Sequence, residues 1–133
     1  MRIFTFLFLS IFSISTVLGA EITSTGTGIW EDDASWDLGR VPTNGDVILI
    51  ESGDIMTVTT NNETCNDAPA THLYIRGTLA FTNGSKLNLG CGSSITVEPG
   101  GLITGAGGGG SSKKIYICGD LMWDSGEPDV PGP

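Results

Sequence analysis

From residue 21 onward the chain reads as all-β: a short right-handed parallel β-helix (β-solenoid) of about four rungs with an N-terminal cap. Three observations predict it. Helical periodicity is nearly absent, and short aliphatic alternations are separated by Gly, Ser, Thr and Asn. One pattern (aliphatic, any residue, aliphatic, a turn holding Gly, then Ile or Leu) occurs four times. Its copies start at residues 48, 73, 95 and 115, a near-constant step of the kind that stacked repeats show.

The first twenty residues stand apart. Met1-Arg2 is a short positive start, Ile3 to Leu18 is apolar apart from Ser and Thr, and Gly19-Ala20 offers small residues for cleavage. This order predicts a secretory signal peptide over residues 1–20, cut after Gly19 or Ala20. The apolar run falls short of the roughly 20 residues of a membrane-spanning helix. The expected location is secreted or cell surface, with no membrane span once the signal is removed.

Residues 21–46 read as the N-terminal cap. Trp30 and Trp36 bracket the acidic turn Glu31 to Ser35, and Gly39 to Asp46 reads as turns leading to the strand at Val47. The two indoles are expected to cover the open edge of the first rung.

Residues 47–123 form the expected solenoid domain. Alternation puts every second side chain inside, and stacking joins matching positions into columns. The predicted interior columns are Ile48/Leu73/Ile95/Ile115, Ile50/Ile75/Val97/Ile117 and Ile55/Leu79/Leu102/Leu121. The strands at Met56–Val58 and Leu87–Leu89 add to this core, while Met56, Ala80, Ile103 and Met122, each next to an interior aliphatic, are expected to face outward. An outward column of Glu51, Arg76, Glu98 and Cys118 alternates in sign, which favours attraction between neighbouring rungs. Gly105 to Ser112 reads as a flexible loop. Residues 124–133 read as a proline-rich acidic tail or linker, which either covers the last strand edge or leads to further rungs.

The formal net charge is −9, which repels phosphate backbones and argues against nucleic acid as a partner. The three cysteines and the single histidine, His72, show no CxxC or other zinc-ligand spacing, so no structural zinc site is expected. Glu31, Asp32, Asp33 and Asp37, and likewise Asp124, Glu127 and Asp129, are oxygen-rich but lack calcium-loop spacing, and read as solvated turns. The glycine run carries no GxxxxGK[ST] spacing. No cofactor is expected. Glu98 and Asp120, the acidic residues of the last two rungs, form no catalytic constellation, so the chain is expected not to be an enzyme. Export permits a disulfide, and Cys65–Cys91 is favoured over Cys91–Cys118 because both lie in connecting segments just before a rung. Tyr74 and Tyr116 fall in one outward column with Leu49 and Thr96, a candidate ligand face for stacking on sugar rings, or else a surface covered by a neighbouring segment. Sequons occur at Asn62 and Asn83.

Trp36, Pro42, Gly45-Asp46-Val47, Ile50 and Gly53 are followed by Leu73, Ile75-Arg76-Gly77-Thr78-Leu79 and Phe81, then by Ile95, Val97, Gly100-Gly101-Leu102 and Gly105. This run resembles the eight-glycine (G-eight) extracellular domain and the solenoid regions of large secreted bacterial surface proteins. The resemblance implies a β-helical fold, an extracellular or cell-surface role, and ligand or polysaccharide binding. The chain departs from that pattern in its Gly105–Gly110 run and its cysteines. The expected function is a non-enzymatic structural or binding module, glycan-binding or adhesive, with carbohydrate or another surface protein as partner. The alternative is an accessory or truncated domain of a polysaccharide-degrading enzyme.

Overall fold

Alternating aliphatics in short segments cannot close a core singly, so they stack. The computed structural model describes residues 19–105 and 111–133. Those residues form a β-solenoid of about four turns. The expected signal peptide, apart from Gly19 and Ala20, and residues 106–110 of the expected loop lie outside the described residues.

Three sheets wall the solenoid. The first is ordered β1 (Glu21–Thr23), β3 (Val47–Ile50), β6 (His72–Ile75), β9 (Ser94–Val97). The second contains β2 (Gly28–Ile29), β4 (Ile55–Val58), β7 (Thr78–Phe81), β10 (Leu102–Ile103) and finally β13 (Val130–Pro131). The third contains β5 (Asn61–Cys65), β8 (Lys86–Leu89), β11 (Lys114–Ile117) and β12 (Asp120–Asp124). Pairing between successive turns is parallel throughout, whereas β12 and β13 return antiparallel to β11 and β10.

In the first sheet the expected register is present. Ile48, Leu73 and Ile95 stack, as do Ile50, Ile75 and Val97, and the β3 and β6 members are fully buried. Each such aliphatic contributes about 1.5–3 kcal/mol by leaving water. Ile22 extends the first column by pairing with Ile48, so residues 21–46 already carry a turn of the coil as well as its cap. Trp30 and Trp36 are buried in that turn, edge to face with ring centroids 5.2 Å apart.

All three predicted columns require correction. Ile115 and Ile117 do not continue the first sheet; they pair with Leu87 and Leu89 in the third. In the second sheet the interior column is Met56/Leu79/Ile103, with Ile55 and Leu102 beside Thr78 and facing out. Ile55 is 44% exposed and Leu121 47%. The cause is corner length. From Ile50 to Ile55 the chain uses four intervening residues, whereas Ile75 to Thr78 uses Arg76 and Gly77 alone. Allowing a single extra turn residue puts β4 one position out, and a slip of one reverses every side chain. Ala80 and Met122 do face outward, as expected.

The tight corner has a steric signature. A Cβ on Gly77 would collide with the carbonyl oxygens of Glu51 and Asp54, one on Gly101 with that of Ile75, and one on Gly132 with that of Glu98. Glycine lets each corner sit directly on the one below. The expected tail residues, 124–133, cover part of the last turn: β13 pairs with β10, and the Gly132 N–H donates to the Gly101 carbonyl at 2.9 Å.

The expected Cys65–Cys91 bond is also corrected. Cys91 bonds Cys118, and Cys65 is free and fully buried. Cys65 ends β5 in register with Leu89, so its side chain belongs to the apolar interior of the third sheet. Cys91 lies beyond Leu89 on an exposed corner, and Cys118 lies just beyond Ile117, the neighbour of Leu89 on β11. Parallel pairing of β8 with β11 therefore delivers the two bonded sulfurs to the same corner.

Candidate functional site

On the outer face of the first sheet, columns of side chains run across the turns. Thr23, Leu49, Tyr74 and Thr96 form one column. Val47, His72 and Ser94 form the next, tied by a 2.7 Å hydrogen bond between His72 Nδ1 and Ser94 Oγ. At the far end of these strands, Arg76 Nε donates to Glu98 Oε2 across neighbouring turns. The expected alternation of charge is thus realised by Arg76 and Glu98. Hydrogen bonding to Glu98 chiefly, then the charges of Glu98 and Glu51, raise the guanidinium's pKa and keep it cationic. Cys118 is not in this column; it turns the hairpin between β11 and β12.

These groups line a shallow cleft of about 210 Å³, bounded by Glu21, Val47, Leu49, Tyr74, Arg76 and Glu98. Its floor is aliphatic and aromatic and its rim carries donors and acceptors, the mixture that orients a polar ligand over an apolar surface. Every residue of it except the terminal pair sits on a strand pinned by ladder hydrogen bonds, so the cleft is preorganised.

Tyr116 does not join Tyr74. It lies on β11 in the third sheet, beside Asn88 of β8 and Leu121 of β12. The shared-column expectation fails because the fourth aliphatic repeat occupies a different wall of the solenoid.

The acidic turn of the cap is tied into the fold. Glu31 accepts from the backbone and hydroxyl groups of Thr59 and Thr60, Asp33 from the Val41 N–H, and Asp37 from the Thr23 N–H. Asp32 accepts from the Ala34 N–H and starts a short 3-10 turn, Asp33–Ser35. Asp129 holds Thr104 and Gly105. Among the described residues, no three His, Cys, Asp or Glu side chains converge as a metal centre would require.

A second concavity escaped sequence reasoning. At the C-terminal end of the solenoid an open cavity of about 460 Å³ is lined mainly by aliphatic side chains and Trp123, with Glu127 at its margin. The signal for it was the Cys118-Gly119 pair. Both residues have positive φ, 54° and 76°, the requirement of a two-residue hairpin turn. That turn ends the parallel coil at β11, and among the described residues no further strand of the first sheet lies over β9.

Comparison of the chain with protein-family descriptions, curated proteins and solved structures finds no match in any of the three.

Proposed function

We propose that the chain is a secreted or cell-surface, non-enzymatic binding module that takes neutral glycan on the outer face of its first sheet. The observation that carries this reading is the placement of Tyr74 in a cleft beside the Arg76–Glu98 pair. The phenol ring supplies a flat apolar surface for the C–H face of a sugar. The guanidinium and carboxylate supply donors and acceptors in fixed positions for its hydroxyls. The net charge of −9 favours a neutral over an anionic glycan.

The setting agrees with an extracellular role. A disulfide joins Cys91 to Cys118, and such bonds persist in oxidising compartments. Among the described residues no helix is long and apolar enough to cross a membrane. The resemblance to the eight-glycine domain points in the same direction.

Glycan-array screening of the chain, followed by affinity electrophoresis on the best ligand, tests the reading. Binding of neutral glycans that is lost in Tyr74→Ala and retained in Tyr116→Ala is the expected result. Absence of binding by the wild type, or binding indifferent to Tyr74→Ala, overturns it.

A further inference from the structure

The three sheets end differently at the C-terminal end of the solenoid. The chain itself closes two of them, laying β12 along β11 and β13 along β10. Among the described residues, β9 pairs with β6 alone. The N–H groups of Ser94 and Glu98 donate back to Thr71 and Ile75, at 3.1 and 2.9 Å. Alternation along the strand therefore directs the N–H and C=O groups of Ile95 and Val97 to the open side. Neither residue's backbone has a further partner there among the described residues. An edge of this kind is a template for another strand.

The side chains beside that edge define what fits. Ile95 and Val97 are half-buried and open, with Ile103, Ile117 and Trp123, onto the 460 Å³ cavity. A strand laid on β9 would turn alternate residues into this cavity, as β6 does one turn below with the fully buried Leu73 and Ile75. Two aliphatic side chains spaced i, i+2 meet that demand. Charge defines the flanks. Among the described residues, Glu127 is the charged group lining the cavity, and Asp124 and Asp129 lie close to it in sequence. A second copy of this chain would bring its own charge of −9 to the same end, so self-pairing is disfavoured.

We infer that β9 and the cavity beside it form a docking site for an extended peptide segment of another protein, with alternate aliphatic residues and basic flanks, which adds as a strand to the first sheet. This site is separate from the cleft around Tyr74 and does not depend on glycan binding.

Fluorescence anisotropy of the whole folded chain with a labelled synthetic peptide, Lys-Lys-Val-Thr-Ile-Thr-Lys-Lys, tests it. Two control peptides carry Glu in place of the lysines, or N-methyl groups on alternate central amides. Saturable binding severalfold tighter than that of the Glu-flanked peptide is expected, since Glu127 attracts the lysines and repels glutamates. N-methylation is expected to abolish binding, Glu127→Lys to weaken it severalfold, and Ile95→Thr to weaken it while circular dichroism stays unchanged. Equal binding of the N-methylated peptide would reassign the cavity to small apolar ligands and overturn the inference. So would absence of saturable binding, or sedimentation showing that the chain pairs with itself and the peptide does not compete.

Discussion

The Arg40 guanidinium donates to both oxygens of the Asp46 carboxylate, at 2.7 and 3.1 Å, and the Asp46 side chain is only 2% exposed. The same carboxylate accepts from the backbone N–H groups of Ala20 and Thr43, at 3.0 and 2.9 Å. It thereby ties the entry of β1, the turn before β3 and the Arg40 loop at one point. Removing Arg40 strands the buried Asp46 charge, and neutralising Asp46 weakens the acceptor shared by Arg40, Ala20 and Thr43. Arg40→Met and Asp46→Asn are each expected to lower stability by about 2–4 kcal/mol, read as a shift of the urea unfolding midpoint. Because Asp46 is buried but the Arg40 side chain is 38% exposed, raising salt is expected to lower the wild-type midpoint modestly. Near-native midpoints for both variants would remove this anchor from the account.

The two cap tryptophans differ in one atom's surroundings. Trp36 Nε1 donates to the Trp30 carbonyl at 2.9 Å, whereas Trp30 Nε1 is buried without a hydrogen-bond partner among the described residues. Phenylalanine at 36 breaks a bond and leaves an acceptor bare; phenylalanine at 30 removes an unsatisfied donor. Trp36→Phe is expected to cost about 1–2 kcal/mol more than Trp30→Phe. Equal costs in thermal unfolding would contradict the asymmetry.

Cys91 and Cys118 are 27 residues apart, and their bond closes a loop of that size. Replacing both with serine is expected to lower stability by about 2–4 kcal/mol. Peptide mapping without reduction is expected to recover the Cys91–Cys118 pair in the wild type and in Cys65→Ala alike. Recovery of a Cys65-containing bridge would reverse the assignment.

Burial pushes the Cys65 thiol up from 9.0 to about 11, against smaller opposing hydrogen bonds from Thr64 and Thr71. The folded form holds its proton where the unfolded form has lost it. Stability from this group is therefore complete below pH 9 and lost as pH rises towards 11, an effect on the order of 2 kcal/mol. Cys65→Ala is expected to flatten the decline between those values. In native protein at pH 8, Cys65 is expected to resist thiol reagents until denaturant is added. Rapid labelling of native Cys65 would show that its site is open.

The sequence carried the first wall of the solenoid clearly. Ile48-x-Ile50, Leu73-x-Ile75 and Ile95-x-Val97 alternate strictly and meet the same corner glycines, so their columns could be written down in advance. The second wall was legible only through Met56-x-Val58 and Leu79-x-Phe81, which align with each other once two extra corner residues are allowed. The third wall was hidden because Leu87-x-Leu89 and Ile115-x-Ile117 use the same residue types as the first. Aliphatic alternation reports burial and period, and it carries no mark of which wall a strand joins. For the same reason the alternation marks Tyr74 and Tyr116 alike as outward and does not reveal that they lie on different sheets.

Gly77, Gly101 and Gly132 leave the corner column no thicker than the backbone itself. Such a column works as a phase gauge for the whole coil. A duplication that inserts one full turn and brings its own glycine to that corner keeps the phase and lengthens the rod. The corner itself takes two extra residues without loss of register, as the four-residue corners after Ile50 and Val97 show beside the two-residue corner after Ile75, provided that no Cβ meets the carbonyl beneath it. Length variation in relatives of this chain is therefore expected as whole turns or as small changes in corner length that keep glycine where one corner meets the next.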